Sequence, residues 1–278
     1  MKLVSLLTEG SFLFCDETTE QVKVLNKSTG KFEYRKKYIW GIKNPALKVA
    51  YYLYDQGSRS MAVTEKFFRN FFGSVTTDGY NVYKLFDRHR TGITRYGCMA
   101  HVRRKFVEAL KTDHRSVEII QLISELYWIE TDYRIHLLSD SERVIERRQR
   151  SIPILSQLWQ FLKPIFDGTK DLATNLFIKA VRYAVNEWAA ICRYVNNGQA
   201  KIDNNTAERM MKPVCLSRKN YLFCGSEQAA KNTSLIYSII ENCKMNGLRP
   251  VKYIADVLRK LVSGETDYMV LLPMNIEK

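Results

Sequence analysis

No run in this 278-residue sequence approaches the roughly 18 consecutive apolar residues that a membrane-spanning helix needs. The opening stretch MKLVSLLTEGSFLFCDE holds a short apolar segment broken by Glu9 and Gly10, with no small-residue cleavage site. Neither a membrane span nor a secretory leader is expected, so the chain reads as soluble and intracellular. Cysteine is sparse: Cys15, Cys98, Cys192, Cys215, Cys224 and Cys243 are scattered and mostly embedded in apolar runs. Reduced thiols fit better than a disulfide framework. Internal repeats, low-complexity tracts and long flexible linkers are missing too. Acidic residues fall short of basic ones, 29 against 43, for a formal charge of +14 and a pI near 9.4. A field of that sign attracts polyanions such as DNA but names no activity. With 46% hydrophobic residues the chain can bury a substantial core, as one large domain or two smaller ones.

The first hundred residues have strand character. FLFCDETTEQVKVL, KKYIWGI and KVAYYLYD are rich in β-branched and aromatic residues, and a turn cluster at Asn26 to Gly30 separates the first two. SRSMAVTEKFFRNFF has helical spacing with Gly73 placed as its C-terminal cap. SVTTD reads as a short strand, NVYKLFDRH as a short helix and ITRYGC as a further strand. The resulting order, β-β-β-α-β-α-β, is that of a ribonuclease-H-like α/β core, a mixed five-stranded sheet flanked by helices. From Val102 to Asn197 nearly everything has i, i+3, i+4 apolar spacing, with Pro153 and Pro164 as breaks. An all-helical insertion is expected over 102–198, between core segments 1–101 and 199–278. The last segment holds a helix opening at IDNNTAER, a hairpin or loop around RKNYLFCGS, and helices over TSLIYSIIENCKMNGL and PVKYIADVLRKLV.

Three acids have placements that invite metal chemistry. Asp16 and Asp78 each lie at the polar end of an apolar, strand-like run, and Glu208 lies on the first turn of a late helix. Three carboxylates delivered in this way are the ligand set for a pair of hard divalent cations that act on phosphodiesters. Each acid also has a plain structural explanation. Asp16 can bond a neighbouring backbone amide, although it shares a strand face with Phe12 and Phe14, where an unpaired charge is costly. Asp78-Gly79 is a good turn signal. Glu208 fits a capping box with Asn205 or Thr206. Pro213, two turns into the same helix, is expected to kink or end it.

TTDGYNVY, GCMAHVRRKF and IDNNTAERMMKPVCLSRKNYLFCGS, followed by an amphipathic helix, resemble the catalytic region of transposases of the insertion sequence 66 family. The likeness runs from CDET to the last helix, and the third motif is the long and specific one. The resemblance implies a bacterial, nucleoid-associated DDE transposase that cleaves and joins DNA strands during transposition. Asp16, Asp78 and Glu208 would be its metal-binding triad and two Mg²⁺ or Mn²⁺ ions its cofactor. Its partners would be the double-stranded DNA of transposon ends and target, with a homo-oligomer assembled on that DNA. The helical insertion accounts for the long separation between Asp78 and Glu208.

Cys98-Met-Ala-His101 resembles a Cys-x-x-His signature found in several DDE families. A zinc site would need two further ligands, and no second such pair exists, so structural roles near the active site are expected for Cys98 and His101. Arg103, Arg104 and Lys105 follow His101, while Lys212, Arg218, Lys219 and Asn220 follow Glu208. Both groups are expected to hold DNA phosphates. The charged run from Glu142 to Arg150 reads as a solvated helix face, and the four tryptophans, mostly on apolar stripes, read as core by default, although in related transposases aromatics of the helical insertion can brace a flipped or hairpin base. Fuller family members carry a substantial region ahead of the first catalytic Asp, and specific end recognition is expected to belong there. Two other readings stay open: an inactive DNA-binding remnant, and a general metal-dependent nuclease on the same fold.

Overall fold

The computed structural model of the chain describes residues 2–9, 12–88, 92–169 and 175–276. Five strands form a mixed sheet in the order β3-β2-β1-β4-β5, and with the helices they give the expected α/β class. The residues divide into two compact units, one running up to Gly73 and resuming at Thr206, the other covering Ser74–Asn205.

The first unit begins with a helix the sequence reading did not anticipate, α1 (Lys2–Glu9), whose Leu7 is fully buried. Next comes an antiparallel meander of β1 (Phe12–Leu25), β2 (Phe32–Asn44) and β3 (Val49–Leu53). The Asn26 turn forms as its residues dictate: Asn26 Oδ1 accepts from Ser28 N at 3.0 Å, and Gly30 takes a φ of +67°. Helix α2 is shorter than its pattern, Met61–Phe67, with Phe68 at its C-cap. Gly73 therefore caps nothing. It opens β4 (Gly73–Thr76) with a φ of +150°, a value that favours glycine.

Three late helices complete this unit. The α9 helix (Asn205–Tyr221) runs unbroken through Pro213, contrary to expectation. Burial of Met210, Met211 and Val214 in one cluster with Val22, Ile39 and Tyr52 outweighs the single backbone bond that proline removes. The segment expected to form a hairpin or loop divides instead. Its first residues finish α9, and after Leu222 turns at a φ of +60°, Cys224 pairs with β1 through Lys23 N to Cys224 O at 2.9 Å and Cys224 N to Gln21 O at 2.8 Å. The α10 helix (Glu227–Met245) starts earlier than expected because Ser226 caps it, accepting from Ala229 N. It also covers the sheet edge at β3: Asn242 bonds both backbone groups of Ala50, at 3.0 and 2.6 Å, and Ser238 Oγ accepts from Tyr52 N at 2.8 Å. An edge so capped offers nothing to a foreign strand. The last helix, α11 (Pro250–Val262), matches its pattern to the residue.

The second unit carries α3 (Leu85–Arg88), β5 (Ile93–Tyr96) and then helices: α4 (Met99–Ala109), α5 (Ser116–Ile135), α6 (Asp140–Glu146), α7 (Ile152–Gly168) and α8 (Leu176–Cys192). The helix expected from Leu172 begins at Leu176, capped by Asn175, and 172–174 lie outside the described residues. Pro164 breaks nothing, since α7 continues to Gly168. Pro153 sits in the first turn of α7, directly after a π-turn at Arg147–Ser151 that joins it to α6. The solvated-face reading of this segment holds for Glu142, Arg148 and Arg150, which are exposed, and fails at Arg147. Arg147 is buried, with its guanidinium bonded to both oxygens of Glu130 and to the carbonyls of Tyr194, Asn197 and Ala200. Charge periodicity cannot foresee this, because the carbonyls that Arg147 satisfies lie far along the chain.

Candidate active site

Asp16 stands on β1 directly opposite Gly41 of β2, so the two residues face the same side of the sheet. That side is where α9 packs. A Cβ on Gly41 would lie 2.0 Å from the Met211 methyl, so the end of that side chain fills the space the glycine leaves open. Further along the same face of β1, Thr18 Oγ1 lies 3.3 Å from Cys215 Sγ, and Glu20 Oε2 accepts from the Tyr221 hydroxyl at 2.8 Å. Strand and helix therefore run side by side in one direction. Followed back from Thr18 and Cys215, this ladder leads to Asp16 on the strand and the first turns of the helix, where Glu208 lies one turn before Met211. Both acids are half-buried. Asp16 Oδ1 accepts from Glu17 N at 2.9 Å, the local bond that its structural explanation foresaw.

Asp78 follows β4 in the second unit, where the turn reading holds: its Oδ1 accepts from Tyr80 N at 3.0 Å. Its other oxygen takes no hydrogen bond among the described residues. The loop is pinned from two sides. Tyr183 of α8 accepts from Gly79 N at 3.0 Å, and Arg95 of β5 donates to the Asp78 carbonyl at 3.3 Å. Gly79 is required for this approach, since a Cβ there would stand 2.7 Å from the Tyr183 ring and 2.9 Å from the Glu187 carboxyl carbon.

Behind the loop lies an ion cluster that the sequence reading missed. Arg95 is 3% exposed, pairing with Glu187 at 2.7 Å and Asp87 at 2.6 Å. Lys84 adds an ion pair of 3.0 Å to Glu187, and Arg193 one of 2.6 Å to Asp87. Burial opposes the charge of Arg95, yet the two carboxylates outweigh it and hold its pKa above the ordinary value. Burial, then the charges of Asp78 and Glu187, push the Tyr183 phenol far up, keeping it protonated. One signal was available in the sequence: Glu187 stands on the buried stripe of α8 with Ala180, Ala184 and Ile191.

Cys98 is buried at the N-cap of α4, and its sulfur accepts from Asn204 N at 3.1 Å. Met99 N donates to Ile202 O at 3.0 Å, so the start of α4 is fastened to the IDNN segment. There Asp203 Oδ1 accepts from Asn205 N at 3.0 Å and introduces α9. His101 sits half-buried one turn into α4.

The basic residues differ in what they have to offer. Arg103, Arg104, Lys212, Lys219 and Asn220 are exposed. Lys105 is half-buried with its ammonium 4.7 Å from the centre of the Tyr183 ring. Arg218 is tied to β1 through the carbonyl and hydroxyl of Thr19, so its charge also serves the fold.

The sequence matches the family model described as transposase IS66 family over residues 1–232 and the IS66 C-terminal element over 238–274. The chain belongs to the IS66 family of transposases. Among its relatives in Sinorhizobium fredii (strain NBRC 101917 / NGR234), the uncharacterized protein y4jD is 34% identical over 84% of this chain and 47% of the relative. The uncharacterized protein y4qI is 28% identical over 99% of this chain and 52% of the relative. The chain thus spans about half the length of the curated relatives it matches. No solved structure matches it. No helix among the described residues is long and apolar enough to cross a membrane.

Proposed function

We propose that the chain is the catalytic part of a DDE transposase, a ribonuclease-H-like core with a helical insertion over 102–198. In this reading Asp16, Asp78 and Glu208 together hold two Mg²⁺ or Mn²⁺ ions. The observation that carries it is the ladder along β1 and α9, Glu20 to Tyr221 and Thr18 to Cys215, which leads back to Asp16 and Glu208. The donor set fits hard cations, being carboxylate oxygen throughout, with Asp78 held by one oxygen so that the other is left to coordinate. Bound there, a metal pair supplies Lewis-acid stabilisation of the attacking and leaving oxygens of a phosphodiester and eases deprotonation of water. The protein residues orient. The Asp78 turn is fixed by Arg95 and Tyr183, Asp16 by its place in the sheet, and Glu208 by the anchored first turns of α9.

A crystal soaked in Mn²⁺ is expected to show anomalous peaks among the three carboxylates, roughly 3.5–4 Å apart. Peaks elsewhere, or carboxylates that remain far apart, would remove the triad. Retained DNA affinity without any such peaks would favour the inactive remnant over both the transposase and the nuclease.

Exposed Lys212 and Lys219 on α9 are assigned to DNA phosphates. Replacing both by alanine is expected to weaken binding to transposon-end and random duplexes alike and to flatten the salt dependence by about one unit per lost contact. Titrations at several salt concentrations check this, and a loss confined to one end sequence would show instead that these residues help to read bases.

A further inference from the structure

Trp128 departs from the core expected for the tryptophans, at 74% exposed, and Phe32 and Tyr34 join it among the exposed aromatic side chains, at 65% and 57%. The latter two lie on a sheet edge. Strand β2 runs from Phe32 to Asn44, but β3 accompanies it only from Trp40 onward, and the last edge bond before the gap goes from Tyr38 N to Gly57 O at 3.1 Å. Backbone groups alternate in direction along a strand, so Phe32, Tyr34 and Lys36 turn theirs to the same open side as Tyr38. Nothing among the described residues bonds them there. The protein covers the neighbouring edge at Ala50 and Tyr52 with α10, yet leaves this one bare in unbroken register with β1. A bare edge is a template for another strand.

The charges on the edge select which strand fits. Only residues whose backbone groups point outward can exchange bonds, so a second β2 laid antiparallel must set Phe32, Tyr34 and Lys36 against one another. With Tyr34 on the two-fold axis, Glu33 of each copy comes opposite Arg35 of the other. These two side chains share a face and already pair within one chain, and opposite charges directly across a ladder are stabilising. Sliding the register one step in either direction sets Glu33 against Glu33 or Arg35 against Arg35, which is destabilising. In the Tyr34-centred register Lys36 of the second copy arrives beside Phe32, a ring that already takes the Lys23 ammonium at 4.7 Å. The edge is therefore complementary to itself. DNA phosphates would take the N–H groups but not the carbonyls, and would meet Glu33.

We infer that a second copy of this chain docks on the edge, β2 against β2 and antiparallel about Tyr34, joining the two hairpins into one sheet. The interface is isologous, each copy giving and receiving the same bonds. It is small beside the roughly 1,200–2,000 Å² of a stable complex, so the dimer depends on concentration. No residue of the proposed metal triad takes part, and the inference stands or falls apart from that reading.

The test is sedimentation equilibrium of the 278-residue chain over a range of concentrations, without DNA or metal. The unaltered chain is expected to dimerise. Tyr34→Pro removes an N–H that the hairpin itself does not use, so the fold is expected to hold, checked by the melting temperature, while self-association weakens by about tenfold or more. Glu33→Arg and Arg35→Glu, each alone, set like charges across the axis and are expected to weaken it roughly tenfold. Mixing the Glu33→Arg chain with the Arg35→Glu chain restores both opposite-charge pairs, and a mixed dimer is expected to form. That mixing result decides the matter even if Tyr34→Pro fails to fold. A chain that stays monomeric at every concentration, or a dimer indifferent to the charge variants, would overturn the inference. So would a monomer whose duplex affinity falls with Arg35→Glu, which would give the edge to DNA.

Discussion

Asp78→Asn is expected to lower Mg²⁺-dependent strand cleavage by more than about 100-fold, the range reached by losing even a group that merely orients a metal ligand. The geometry makes this a clean substitution. Asparagine keeps the side-chain oxygen that accepts from Tyr80 N, so the turn survives, along with the bonds from Arg95 to the carbonyl and from Gly79 to Tyr183. What changes is the other carboxylate oxygen, which no hydrogen bond from the described residues uses. An amide nitrogen there is a poor ligand for a hard cation. Cleavage of a plasmid carrying the transposon ends measures the effect, with the melting temperature and duplex affinity expected to stay at their original values. Cleavage near the original rate in the variant would take Asp78 out of the mechanism, and a variant that melts early would show the turn to depend on charge.

Local chemistry in the sequence was a good guide wherever one residue decides one structure. Strand β1, the Asn26 turn, the Asp78 turn and α11 fall where their residues place them. The failures share a cause, which is that the deciding partner lies far away in the chain. Pro213 and Pro164 look like helix breaks, but packing of the surrounding turns decides, and both helices continue. Arg147 looks solvated until it meets Glu130 and three backbone carbonyls. Around the candidate site the local bonds of Asp16 and Asp78 were legible, whereas the group that fixes the Asp78 loop was not. Arg95 reads as an ordinary strand residue and Glu187 as a lapse in an apolar stripe. Their meaning lies in their pairing.

That pairing sets the second large effect. Glu187→Ala is expected to destabilise the protein by about 3–5 kcal/mol, the usual consequence of removing one partner of a buried ion pair. Glu187 is 2% exposed at its side chain and answers two cations, Arg95 at 2.7 Å and Lys84 at 3.0 Å. Lys84 is more exposed and can turn toward water, but Arg95 is 3% exposed and cannot. Asp87 remains beside Arg95, which places the expected loss toward the lower end of the range. Glu187→Gln should cost less, because its amide oxygen can still accept from Arg95. Replacing Arg95 and Glu187 together by apolar residues of similar size should cost less than Glu187→Ala alone, since no charge is then left stranded. Urea denaturation of the variants measures these differences. The same series reaches the site, because Arg95 also holds the Asp78 carbonyl and Glu187 packs against Gly79. Glu187→Gln should therefore retain more Mn²⁺ affinity than Glu187→Ala when both are compared under conditions where they stay folded. A loss below about 1 kcal/mol for Glu187→Ala, within the range of an exposed pair, would show that water reaches Arg95 and that the cluster does not fix the loop.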